Sequence, residues 1–207
     1  MFKTIIFNRP YTDVLGLLQR ILRCQNLPYL QDRPSSEFCR DIARALHIGQ
    51  AAYRVLDEGT IVPVGSDNER ETIEQAFTDL SANEFFGARM HLRTAAEELT
   101  AGHNAASIRE SIHAVESVVR ILEPEGDFSR ALAKLEAKTA IHGAMKAGFK
   151  SLYGFTSDEN GIRHPLLEKD SAAVDETDAL FMIGACAAFV SYLIGKARNV
   201  GLLTKPS

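Results

Sequence analysis

The seventeen residues Ala179–Gly195 pass without a single charge, and this run limits the possible folds more than any other stretch of the chain. A helix that is apolar all round has to be covered, by lipid or by other helices. The run is rich in Ala, Gly, Cys and Ser and is just under the roughly 20 residues needed to cross a bilayer core. It therefore reads as the buried central helix of a bundle. Asp175 or Thr177 can cap it, and it should continue to about Arg198.

The partners for that helix are visible upstream. Ser66-Asp67-Asn68-Glu69 fits a capping box, with Ile73, Phe77 and Leu80 following at helical spacing. Asn83 to Ala101 reads as a second helix, stopped by Gly102. Asn104 to Leu122 is a third, with Ile108, Ile112, Val115, Val119 and Leu122 on one stripe and Pro124 ending it. A fourth starts at Asp127 or Ser129, passes through Leu132 and Leu135 to about Tyr153, and has a possible break near Thr139–Gly143. A loop, Gly154–Val174, then leads to the central helix. Short connections between such helices imply an antiparallel bundle over 66–207.

Residues 1–65 read as a smaller region. Thr12/Asp13 caps a helix bearing Val14, Leu17, Leu18, Ile21 and Leu22, and Ser35/Ser36 caps one bearing Phe38, Ile42 and Leu46. Tyr53–Leu56 and Thr60–Val64 are β-prone runs around Asp57-Glu58-Gly59, which predicts one hairpin; Pro63 suits an edge strand. The fold class is therefore mainly α, a helical bundle preceded by two short helices and a single β-hairpin.

At 207 residues and a net charge of −4, nothing global advertises nucleic-acid or membrane binding. The distribution is uneven, however. Phe128–Ser157 holds five Lys/Arg against the single acid Glu136, a local +4 that leaves −8 for the remainder. Three cysteines, Cys24, Cys39 and Cys186, show no metal or disulfide spacing and fit a reducing compartment. The N-terminus lacks the features of a signal peptide. A cytoplasmic protein without cofactor or metal is expected.

The chemistry concentrates in Leu152–Leu167, LYGFTSDENGIRHPLL. Arg163 and His164 stand side by side in a polar stretch after Ser157, Asp158, Glu159 and Asn160. Histidine can take and return a proton near neutral pH. Arginine stays charged and grips phosphoryl oxygens. Together they suffice in kind for RNA cleavage without metal. The alternative is structural, with Arg163 pairing with Asp158 or Glu159 and His164 settling the turn before Pro165. Asn160-Gly161 should form a tight turn aiming both side chains one way. Glu116, beside Val115, is the first choice of carboxylate for Arg163, and Asp158 the second.

Arg130, Lys134, Lys138, His142, Lys146 and Lys150 recur every four residues, a slow spiral that could follow an RNA backbone or simply form a solvated face. A break near Gly143 would divide it. In SIRESIHAVES, His113 and Glu116 lie at i, i+3 beside Arg109 and Arg120. This pair would serve a carboxylate-bridged metal site only with a matching motif on another helix, and none is evident. His47, His91, His103 and His142 show no ligand spacing. There is no Walker loop, dinucleotide fingerprint, HExxH or nucleophile elbow.

The strings RESIHAVESVVRILEP, FSRALAKLEAK, LYGFTSDENGIRHPLL and VDETDALFMIGACAAFVSYLIGKA resemble the C-terminal domain of AbiJ-like abortive-infection proteins, within the HEPN class of helical bundles. The resemblance covers about Ser66–Ala197 and is most specific in YGFTSDENGIRH and SIHAVES; AYRVLDEGTIVPV is similar to the connector preceding that bundle. It implies a homodimer that cuts RNA without metal in phage defence or a toxin-like role, with Arg163 and His164 at the cleft and Asn160, Asp158 and Glu116 as supports. The basic stripe would hold the RNA, and a protein partner or antitoxin would be plausible. The family's usual motif separates Arg from His by four to six residues, whereas here the two are adjacent. That spacing leaves open a non-catalytic HEPN-like module that binds RNA or protein.

Overall fold

The computed structural model describes residues 9–23, 35–49, 51–56, 59–158, 162 and 173–203. Among these the chain is mainly helical, with one antiparallel hairpin. The elements in order are α1 (Tyr11–Arg23), α2 (Ser35–Ile48), β1 (Tyr53–Leu56), β2 (Thr60–Pro63) and α3 (Asp67–Asp79). A 3-10 turn at Asn83–Phe85 leads into α4 (Phe86–Thr100), and α5 (Asn104–Leu122), α6 (Phe128–Thr139), α7 (Gly143–Asp158) and α8 (Glu176–Asn199) follow.

The bundle is built around α5 and α8. The stripe read from the sequence is the buried one: Ile108, Ile112, Val115 and Val119 are each 0% exposed. They pack against α8, whose own core face runs through Ala179, Met182, Ile183, Cys186, Val190 and Leu193. α8 is long and apolar enough to cross a membrane, yet half of its apolar window is buried by the protein's own helices. The expectation of cover on every side is corrected. A strip with Phe181 at 58% exposure and Ala188 stays open, and its small residues keep that apolar area modest. Burial pushes the Cys186 thiol up to about 12, which makes it an inert core residue.

Caps follow the local chemistry. Asp175 accepts from the Asp178 amide while the Asp178 carboxylate accepts from the Asp175 amide, a full capping box. At α3, Ser66 Oγ accepts from the Glu69 amide at 3.2 Å, but Glu69 reaches one residue further back and takes the Gly65 amide. α1 starts at Tyr11, before the expected Thr12/Asp13 cap, because the Pro10 carbonyl accepts the Asp13 and Val14 amides. Its buried residues are Leu15, Gln19 and Leu22, so Val14 and Leu17 lie beside the apolar face and not at its centre. The fourth predicted helix is two. Ala140 takes a left-handed conformation (φ 53°) that ends α6, and its carbonyl accepts from Lys196 Nζ at 3.1 Å.

The hairpin sits between two apolar clusters. Leu56, Val62 and Val64 face the main core, whereas Ile61 joins Leu15 and Leu22 with Phe38, Ile42 and Leu46 packed round them. Pairing puts Val62 opposite Arg54 and Pro63 opposite Tyr53, and Val64 donates to the Ala52 carbonyl. Ladder bonds thus fall at even positions of β2, and Pro63 stands where an amide would point off the ladder. Ile61 also points its amide outward, and Gln19 takes it. Gln19 Oε1 accepts from Ile61 N at 2.7 Å, and Gln19 Nε2 donates to the Gly59 carbonyl at 2.6 Å. Gly59 has φ +75°, and a Cβ there would lie 3.0 Å from Leu22 Cβ, so glycine is required by backbone and by space. Replacing Gln19 with Leu strands a buried donor and a buried acceptor. The expected loss is about 2–4 kcal/mol in chemical denaturation, and a midpoint within error of the parent's would refute the bridging role.

Candidate functional site

Of the residues expected to carry chemistry, Asn160, Arg163 and His164 lie outside the described residues. Ile162, directly before Arg163, is described; it is 2% exposed and belongs to the main core. The chain thus enters the Arg–His pair from a buried anchor. Glu116 is on α5 with its side chain 19% exposed, its Oε2 4.0 Å from His113 Nε2.

Asp158 is placed differently from the sequence reading. It is the last residue of α7 and not part of a loop, and Leu152–Ser157 are helical too. Hydroxyl groups explain the extension. Thr156 Oγ1 donates to the Tyr153 carbonyl at 2.8 Å, and Ser157 Oγ to the same oxygen at 3.4 Å. These residues satisfy their side chains inside the helix and need not leave it. The expected Gly154–Val174 loop is correspondingly shorter at its start.

The basic stripe is split at Ala140 between α6 and α7, and several of its cations are engaged by carboxylates. Lys134 donates to Glu123 at 3.2 Å and Glu125 at 3.0 Å, Lys138 to Glu123 at 2.5 Å, and Lys146 to Glu136. Arg130 is 80% exposed and lies 3.5 Å from Asp127; Lys150 is exposed on α7. His142 Nδ1 accepts the Ala144 amide at 3.2 Å in the opening turn of α7. These contacts pin the α5–α6 and α6–α7 junctions.

Glu123 is the centre of that network. The Lys138 hydrogen bond, with Lys134 adding to it, holds its carboxyl below the ordinary range, while the two glutamates raise Lys134. The signs set the pH window. Glu123 contributes stability above the ordinary glutamate value, about 4.3, that is lost as pH falls through its depressed folded value. Lys134 contributes stability below about 10.4 that is lost as pH rises through its raised value. A Glu123→Gln protein should therefore melt below the parent across neutral pH and approach it under acid. A gap that persists unchanged at pH 2–3 would show that the charge plays no part.

The structure also assembles a constellation that sequence spacing does not reveal. α4 and α5 are the most extensively packed helix pair and form an antiparallel hairpin. Gly102 (φ +81°) turns the chain: His103 N donates to Glu98 O at 2.8 Å and Gly102 N to Leu99 O at 3.0 Å, closing α4 as a Schellman motif. Residues equidistant from such a turn face each other. His91 precedes Gly102 by eleven residues and His113 follows it by eleven, and their rings meet edge to face with centroids 5.3 Å apart. Glu110 lies between them. His91 Nδ1 is 2.8 Å from Glu110 Oε2 and His113 Nδ1 is 3.8 Å from Glu110 Oε1. Thus α4 supplies the matching residue for the His113 face. A single histidine on a separate helix carries no spacing signal, so only the register of the hairpin could have pointed to it.

No family model matches the chain, and neither a curated protein nor a solved structure is detectably similar to it.

Proposed function

We propose that the chain is a metal-independent endoribonuclease of the HEPN, AbiJ-like type, acting as a cytoplasmic homodimer in phage defence or growth arrest. The observation that carries this reading is Ile162. Its burial in the main core fixes the backbone immediately before the Arg163–His164 pair, as a reacting pair needs. α7 ends at Asp158, so the negative end of its dipole lies there and favours a nearby cation, and Arg163 follows five residues later.

In the proposed reaction His164 takes the proton of a ribose 2′-hydroxyl. The freed oxygen attacks the adjacent phosphorus, the 5′-oxygen leaves with a proton from water, the hydroxide so formed is neutralised by protonated His164, and a 2′,3′-cyclic phosphate remains. Arg163 stabilises the charge that gathers on the phosphoryl oxygens. The test is incubation of the purified chain with total RNA in excess chelator, followed by end-group analysis. Fragments with cyclic-phosphate and 5′-hydroxyl ends are expected, and intact RNA at all protein concentrations would overturn the reading.

The non-catalytic alternative is favoured by one observation. Lys134, Lys138 and Lys146 are engaged by Glu123, Glu125 and Glu136, which lowers the charge available to an RNA backbone. A module that binds a protein partner, such as an antitoxin, needs no such charge. Uncut RNA together with salt-insensitive capture of a partner protein would select it.

A further inference from the structure

We propose that His91, Glu110 and His113 form a binding site for one divalent transition-metal ion, with zinc(II) the best chemical match. One candidate donor atom from each lies within 4.8 Å of the others. Bonds of about 2.0–2.2 Å in a tetrahedral site put donors about 3.3–3.6 Å apart. His91 Nδ1 lies 2.8 Å from one Glu110 oxygen and His113 Nδ1 lies 3.8 Å from the other, so modest rotations of the carboxylate and the two rings would gather the three donors on one ion. Two imidazoles and one carboxylate, with a fourth position left to water, are donors suited to zinc; calcium and magnesium demand oxygen throughout.

The surroundings fit a built site. Glu110 and His113 are at i, i+3 on α5 and therefore share a face, while α4 brings His91 across the hairpin. Both helices are rigid parts of the bundle, so the geometry does not depend on a loop. His113 presents Nδ1 to Glu110 and Nε2 to Glu116, the latter pair 4.0 Å apart. A metal bound at Nδ1 leaves Nε2 on the Glu116 side, where closing the 4.0 Å gap would complete a carboxylate–histidine–metal arrangement. Side-chain exposures of 38% for His91, 30% for His113 and 16% for Glu110 leave an entry path while partly excluding water. Arg109 competes: its Nε lies 3.5 Å from Glu110 Oε1, and its charge should moderate the affinity without occupying a donor position. The inference does not rest on the RNase reading. Glu116 is the one residue shared with that reading, so the test leaves it unchanged.

The probe is zinc alone, titrated calorimetrically into the full chain after treatment with chelator and dialysis. Binding of one equivalent per chain is expected. His91→Ala, Glu110→Gln and His113→Ala should each lose at least about ten-fold in affinity. His103→Ala serves as control, because His103 pairs with Glu98 at the turn, outside the cluster. Cobalt(II) should give the intense visible bands of four-coordinate nitrogen–oxygen ligation in the parent and lose them in the variants. Zinc at a hundredfold excess over Kd should raise Tm by about 5–10 °C, and circular dichroism confirms that Glu110→Gln folds. Absence of binding at a few hundred micromolar zinc overturns the proposal. So does affinity that survives in the His91→Ala/His113→Ala double variant, since the ion would then sit elsewhere.

Discussion

Phe189→Ala is expected to lower stability by about 3–5 kcal/mol and Tm by about 6–20 °C. Phe189 is 2% exposed on α8 and stacks on Phe149 of α7 with ring planes 10° apart, and on Tyr192 along its own helix. Truncation removes a ring from a close-packed interior where α7 meets α8, and neighbours anchored on rigid helices cannot collapse into the space. The consequence reaches the proposed site. Besides this stack, α7 is held through Phe128 against Tyr153 and through Lys146 on Glu136. Loosening it displaces the helix that ends at Asp158, five residues before Arg163 in sequence. Phe149→Ala makes a sharper companion, since Phe149 is only half-buried. It should cost less global stability yet increase hydrogen exchange selectively in α7. Uniform exchange along the chain in that variant would show that α7 is not held by this stack.

The helices of the bundle core were legible because their punctuation is chemical. α5 runs from Asn104 to Leu122, as read from Gly102, Pro124 and the stripe between them, and Asp175 caps α8. Where polar side chains have a choice of partner, sequence and structure part. Thr156 and Ser157 look like loop residues in sequence, but their hydroxyls bond within α7 and carry the helix to Asp158. α1 begins at Tyr11, ahead of the expected Thr12/Asp13 cap, because a proline carbonyl, and not a side chain, receives the first amides. For the candidate sites the limit is different in kind. Glu116 could be singled out on one helix, and the lysine stripe could be counted. That Glu123 and Glu136 engage those lysines depends on how α5, α6 and α7 turn on one another. Likewise, His91 becomes a partner of Glu110 only through the α4–α5 register. Periodicity describes one helix at a time, and these contacts exist between helices.

The second large effect concerns the pair after Ile162. His164→Ala should reduce RNA cleavage by about 10²–10⁴-fold, the range of a positioned general acid–base group. Arg163→Ala should reduce it by about 10²–10³-fold through loss of charge stabilisation on the phosphoryl oxygens. Both side chains follow a core anchor that neither substitution touches, so melting curves should stay within about 1 °C of the parent. That comparison separates chemistry from the structural alternative. An Arg163 that only pairs with a carboxylate such as Glu116 or Asp158 would affect melting more than cleavage. The double variant is more discriminating still. Groups that act in one transition state are not additive, so removing both should cost scarcely more than removing His164 alone. A double variant that loses the product of the two single losses would mean that the residues act independently. Retention of parental cleavage in both single variants would remove the pair from the reaction. RNA chemistry would then have to come from other residues of the chain.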